Sequence, residues 1–440
     1  MAEREKFAHL LRRATFGPTA EEVDAAEKAG YDAAVEALVA PAGTDAGAQA
    51  TPAPALGPDP YQALTRNSTK EERQAARKAR TEQIQQINGW WLQRMVAAQQ
   101  QFAEKLVFFW HGHWATSVQK VDSAHLMLRQ QDTFRSLGHG DFALLVKAML
   151  RDPALIIWLD GQKNTKRAPN ENLARELMEL FTLGVGGGYT EKDVKEGARA
   201  LTGWALDRAT GEARFDPARF DNGSKTILGQ TGDFSADGFA DVLMAQTSSP
   251  RFLASRLWFR FAQSGPIPDD ATQRLVSAYG GGRDVTGLAR AMFQDPAFAA
   301  TSGQLVKQPV EWLIGALRQL GVRPQALTDQ EKRSVQGGLV ALDQVVFRPP
   351  SVGGWPAGSA WLTTFALQTK LRLAEGLAAK APAAVVDKLN AAPDAGRADA
   401  LARLLVVDSW SERTRKVLAT AKEARKMLVL GLVSPEYTVQ

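Results

Sequence analysis

The chain has 440 residues, 45% of them hydrophobic and 23% charged, with a formal net charge of +5; these are the proportions of a folded globular protein rather than a disordered or membrane-embedded one. It has no cysteine, which excludes disulfide scaffolds, thiolate metal sites, iron–sulfur clusters and cysteine nucleophiles, so any metal must be held by nitrogen and oxygen. The positive surplus is not gathered into aromatic-interleaved basic clusters, which speaks against nucleic-acid binding, and no apolar run approaches the roughly 18 residues of a membrane span.

The predicted elements are almost all helical, and the predicted class is all-α: a multihelical globular protein with long irregular loops and a short hairpin. Residues 1–40 read as an N-terminal helical segment. Met1-Ala2-Glu3-Arg4-Glu5-Lys6 lacks the apolar core of a signal segment, so the chain as written reads as cytoplasmic; a removed signal segment would make it exported or envelope-associated. Residues 41–60, rich in Ala, Pro and Gly, read as a linker or loose loop, and 61–204 as a helical core carrying the main motifs. Lys70 to Arg80 mixes both charge signs at same-face spacing and reads as a solvated helix.

An amphipathic helix beginning near Trp90 ends in Phe108-Phe109-Trp110-His111-Gly112-His113-Trp114, which holds two of the five histidines. Two positions apart on a continuous helix, their side chains point about 200° apart. If Gly112 stops the helix, both imidazoles can face one side and share a ligand. The plainer alternative is a pair of hydrogen-bonded histidines at an aromatic core edge.

Asp152-Pro153, Ser249-Pro250, Asp295-Pro296 and Ser434-Pro435 each place a capping side chain before a proline suited to the first helical position, so each predicts a helix start. From Pro169 to Gly184 the spacing predicts a helix with Leu173, Leu177, Leu180 and Phe181 inward and Asn172, Glu176 and Glu179 on an adjoining face. Gly184 is its predicted C-cap and Glu171 with Arg175 a same-face pair. A carboxylate such as Glu176 at the core edge must be paired, metal-bound or raised in pKa. Thr190 with Asp193 reads as a capping arrangement.

Residues 205–238 lose the helical period and predict a long irregular loop; Asp221 and Lys225 are candidate polar groups there, without the spacing of a phosphate-binding loop. Residues 239–440 read as a C-terminal helical region packed with the core. Trp90, Trp91, Trp110, Trp258 and Trp312 fall in apolar helical patterns and are expected in the core, whereas Trp114, Trp204 and Trp355 lie at helix ends or in loops.

His9-Leu10-Leu11-Arg12-Arg13-Ala14-Thr15-Phe16-Gly17, the Phe-Trp-His-Gly-His segment, Pro169-Asn170-Glu171-Asn172 through Gly184, Tyr189-Thr190-Glu191, Leu201-Thr202-Gly203-Trp204, Gly353-Gly354-Trp355-Pro356 and Ser434-Pro435-Glu436-Tyr437 together resemble a bacterial family known as domain of unknown function 1800. The resemblance runs from end to end. It implies an envelope role, since members are often exported, and a sulfatase-like protein encoded nearby as a partner. It names no activity. Phe220 stands where the resemblance leads one to expect a histidine, Ser351 where Asn is expected, and Asp141 where Asn is expected. If that histidine is a metal ligand in relatives, Phe220 weakens or alters the site.

Three readings follow. The first is a metal-dependent or acid–base enzyme, with hydrolysis favoured, in which His111, His113 and Glu176 hold zinc or iron and Glu176 alternatively serves as general base. Glu179, Asn170, Asp221 and Lys225 would then orient the substrate or the ligands. The second is a non-catalytic helical binding or assembly module held by a buried polar network. The third is a glycan-handling protein using Trp114, Trp204 and Trp355 beside paired carboxylates.

Overall fold

Helix starts follow the capping chemistry of the sequence. The computed structural model describes residues 3–207 and 210–440, and in it the side chains of Asp152, Asp295 and Ser434 each accept a backbone N–H at the head of a helix whose first residue is proline. Ser249-Pro250 differs. That helix, Ser248–Phe261, begins earlier with Thr247 at its cap, and Pro250 occupies its first turn, where a missing N–H breaks no helical bond. Thr19, Thr69, Thr190 and Thr328 build reciprocal capping boxes with Glu22, Glu72, Asp193 and Glu331.

Helices dominate the fold, as the pattern predicts: twenty-five α-helical segments and two small antiparallel sheets form from the described residues. The centre is Gln101–His113, with twelve of its thirteen residues buried. Around it pack Glu3–Ala14, Tyr31–Val39, Lys70–Ala97, Ala124–Leu137 and Ser248–Phe261. The single helix expected from Trp90 onward is instead two. Ala98 turns to an extended conformation after Lys70–Ala97, and Gln101 Nε2 donates to the freed carbonyls of Met95 and Ala98. Asp45 accepts the N–H groups of Gln99 and Gln100 at the break.

The stretch 41–60 is pinned to the helix Lys70–Ala97. Trp90 Nε1 donates to the Thr51 carbonyl, and Gln83 donates to those of Leu56 and Pro58. Within 205–238, where a loop and one hairpin were expected, there are two hairpins: Trp204–Asp207 with Glu212–Phe215, and Lys225–Ile227 with Gln230–Gly232. Arg208 and Ala209 of that stretch, like Met1 and Ala2, lie outside the described residues. One contiguous apolar cluster runs from Phe7 to Tyr437. No helix among the described residues is long and apolar enough to cross a membrane.

Candidate functional site

The helix Gln101–His113 does not stop at Gly112; it runs through His113 and is capped by Trp114. The histidines therefore keep their helical divergence and enter different surroundings. His111 lies among Trp91, Phe347 and Trp355, and its Nε2 accepts the Phe347 N–H at 2.9 Å. His113 lies among Phe109, Trp110 and Phe181 and donates from Nε2 to the Phe181 carbonyl at 3.0 Å. Both are buried, and burial holds both imidazole pKa values down to about 3. They are neutral side chains serving backbone groups.

Gly112 has a different use from the one its sequence position suggests. Gly354, at φ +81°, sits so close that a Cβ on it would lie 2.4 Å from the Gly112 carbonyl oxygen. The Gly-Gly-Trp-Pro segment thus closes directly over the histidine helix, with Trp355 stacked on Phe108.

The Asn-Glu-Asn motif meets this helix through backbone. Asn164 Oδ1 accepts the Asn170 N–H, Asn170 Oδ1 accepts the Asn172 N–H, and Asn172 Nδ2 donates to the Leu159 carbonyl. Asn170 is accordingly a cap for the segment that follows. That segment is a short α-helix, Asn172–Glu176, which widens into a π-helix, Leu177–Thr182. Thr182 Oγ1 donates five residues back to the Leu177 carbonyl. Leu173 is buried ahead of the widened turn and Leu177, Met178 and Phe181 within it, Leu180 is half-buried, and the turn aims the Phe181 carbonyl at His113. Gly184 follows the cap residue Leu183 at φ +85°.

Glu176 and Glu179 lie on the other flank, half-buried. Neither takes a hydrogen bond or ion pair from the described residues, although Arg175 beside them is held by Glu171 at 3.0 Å and Glu191 at 2.6 Å. Burial, then the neighbouring charge of Glu179, raises the Glu176 pKa, and the same carboxylates contribute to raising that of half-buried Tyr189, after its own burial. His111, His113 and Glu176 are not brought into one ligand set, and no three His, Asp or Glu side chains among the described residues form a group able to hold a metal ion. The deciding cause is the unbroken helix at Gly112.

Asp221 and Lys225 serve the loop they belong to. Asp221 takes a forked bond from Arg199 at 2.7 and 3.1 Å, which holds its carboxyl below the usual value. Lys225 Nζ donates to the Asp221 and Gly223 carbonyls and lies 5.0 Å from the Phe220 ring centre. Phe220, in place of the expected histidine, is thus a lid on a buried ammonium. Asp141, the other departure, caps Phe142–Met149. Of the tryptophans outside the helical pattern, Trp114 and Trp355 are buried and only Trp204 is half-exposed, with Arg151 over its ring.

Sequence reasoning misses a charged centre. Lys105 and Glu311 form a buried ion pair at 3.0 Å, each under 5% exposed. Lys105 also donates to the Arg13 and Thr15 carbonyls, so it ties the first motif to the histidine helix. Neither Lys105 nor Glu311 lies in a sequence motif that would mark it. The available signal is that Lys105 is flanked by Phe102, Leu106, Phe108 and Phe109, on a helix too apolar to keep a solvated face.

No curated protein and no solved structure matches the chain. The motifs that meet around the histidine helix are nevertheless those of one family profile, which matches residues 9–439, and the chain belongs to the family described as "Protein of unknown function (DUF1800)".

Proposed function

We propose that the chain is a non-catalytic helical binding module whose contact face is the Glu176–Glu179 flank, and that its partner presents a cationic group there. One contrast carries the reading. In the long motif, Asn170, Glu171, Asn172, Arg175 and Thr182 have partners within the fold, while the two carboxylates beside them are half-buried and like-charged, and Arg175, whose charge reaches Glu176, is already committed to Glu171 and Glu191. Two such groups three residues apart repel each other, and an incoming guanidinium or ammonium removes that cost. The adjoining glycine-rich turn carries Val185 at 80% exposure, an apolar contact beside the charge. A rigid base supports the face, since His113 holds the π-turn from behind.

The test is fluorescence anisotropy with a labelled arginine-rich peptide at moderate salt, on the parent and on a Glu176→Gln/Glu179→Gln variant. Binding that weakens at least about tenfold in the double variant, the loss of roughly 1.4 kcal/mol expected of a charge-assisted contact, is the expected result. No saturable binding by the parent overturns the reading. A second reading, acid–base catalysis by Glu176, rests on its raised pKa. Turnover on a panel of chromogenic esters, phosphates, sulfates and glycosides that disappears in Glu176→Gln would favour it instead.

A further inference from the structure

An open groove of about 530 Å³ lies between the helix Lys70–Ala97 and the helix Asp329–Ala341. Arg80, Ile84, Asn88 and Leu92 recur every fourth residue, so they form one stripe along the first helix, and all four line the groove. The second helix is held by another neighbour. An added Cβ on its Gly338 would stand 2.7 Å from the Leu373 side chain of Thr364–Lys380, and of its thirteen residues Leu339 alone is buried. The wall is largely aliphatic: Leu92, Val118, Leu339 and Val346 are buried in it, while Val340 is 50% exposed. Arg80 and Arg348 are the charged side chains among the lining residues, and none of those residues carries a carboxylate.

The position of Arg348 is fixed through the residue before it. Phe347 has φ +62°, left-handed backbone that a bulky side chain seldom takes. It is held there from both ends, since His111 Nε2 accepts its N–H and its carbonyl accepts the Val118 N–H at 2.8 Å. Arg348 Nε and NH2 then reach the Gln119 side-chain oxygen at 3.1 and 3.0 Å, in the amide orientation that satisfies both residues. Arg80 pairs with Asp122. Gln119 belongs to the short helix Val118–Val121 and Asp122 caps it, so both guanidiniums stand on that side of the groove. Asp122 offsets Arg80, whereas no carboxylate among the described residues pairs with Arg348. The strained residue thus holds an unpaired cation against an aliphatic wall.

We propose that this groove binds an aliphatic monocarboxylate, with its carboxylate on Arg348 and its chain along the aliphatic wall. Charge decides the head group: a guanidinium matches a carboxylate with two parallel N–H bonds, and the lining has no acid to receive a cation. The wall decides the tail. Inorganic phosphate or sulfate would leave Leu92, Val340 and Val346 uncovered, and a neutral hydrocarbon would leave Arg348 unpaired. The volume lies within the range of small-molecule sites, roughly 300–1,000 Å³. The stripe from Arg80 to Leu92 is about 18 Å long at the rise of a helix, enough for a chain of about ten carbons. The inference is independent of the acidic flank, with which the groove shares no residue.

Isothermal titration calorimetry of the full chain with hexanoate, octanoate, decanoate and octan-1-ol tests it. Decanoate should bind saturably at one site per chain, and affinity should rise about two- to fourfold per added methylene from hexanoate to decanoate. Octanoate should bind at least about tenfold more tightly than octan-1-ol, and Arg348→Gln should remove that preference. Arg348 and Val340 are both exposed, so changing either costs the fold little. Val340→Glu should weaken decanoate by setting a carboxylate at the groove. Glu176→Gln/Glu179→Gln should leave decanoate binding unchanged, which separates this result from that on the acidic flank. No saturable decanoate binding by the parent, or an octanoate preference that survives Arg348→Gln, overturns the proposal. So does a parent dimer that Val340→Glu dissociates, because a second copy of the chain would then fill the groove.

Discussion

His111 and His113 show how one side chain's surroundings set a property of the whole chain. Each is neutral in the fold, with its pKa lowered by burial to about 3 from an ordinary 6.5. In the unfolded chain each takes up a proton near 6.5, so below that pH the unfolded state binds more protons and stability falls with falling pH. The stability conferred by the neutral form is fully present above pH 6.5 and is lost progressively down to about pH 3. Each histidine contributes a slope of about 1.4 kcal/mol per pH unit in that window. Urea unfolding at pH 7.0, 6.0 and 5.0 should show this decline, and His111→Phe should flatten it by one histidine's share while lowering stability at pH 7 by about 1–3 kcal/mol, because the Phe347 N–H loses its acceptor. An unchanged pH slope in the variant would mean that His111 is not the buried neutral group described above.

At the scale of elements, what the sequence reveals is what neighbouring residues decide. Thr190 with Asp193, Asp152 with Pro153 and Glu171 with Arg175 act within one turn, and each takes the expected role. The direction of the two imidazoles was not legible, because it turns on whether the helix continues through Gly112. That is settled by packing from Gly354 and by the Phe347 N–H, 236 positions from His111 in the chain. The π-turn at Leu177–Thr182 is hidden for a similar reason: its apolar spacing also fits an α-helix, and only the packed neighbours show which residues turn inward. The Gly354 contact can be tested against a glycine that makes none. Gly354→Ala forces an alanine into left-handed backbone and against the Gly112 carbonyl, and should cost about 2–5 kcal/mol. Gly89, within Lys70–Ala97, has no atom within 4 Å of an added Cβ; Gly89→Ala should stabilise by about 0.5–1 kcal/mol. Paired denaturation midpoints check both, and equal effects would remove the close approach as the reason for Gly354.

At the scale of the molecule, the two ends of the chain are built into the same core, and this makes the last few residues structural. Tyr437 is fully buried, donates to Gln319 Oε1 at 2.9 Å and receives Lys307 on its ring. The Thr438 carbonyl accepts the Lys307 N–H, and Gln440 and Leu305 exchange a pair of backbone hydrogen bonds. Chain termini usually fray and tolerate removal; here, deletion of residues 435–440 strips an aromatic worth about 3–5 kcal/mol and several backbone bonds of about 1 kcal/mol each. The sum approaches the total stability of a typical domain, about 5–15 kcal/mol. The loss should also spread. Residues 297–301 adjoin the strand-like 305–307 segment, and they receive His9 at the Phe298 carbonyl and Arg13 at that of Thr301. Through them the N-terminal helix Glu3–Ala14 depends on the C-terminus. Hydrogen exchange on the truncated chain should therefore show lost protection in Glu3–Ala14 as well as around residue 305, with Tm lowered by more than about 5 °C. A truncated chain whose first helix keeps the parent's protection would show that the two ends are stabilised separately.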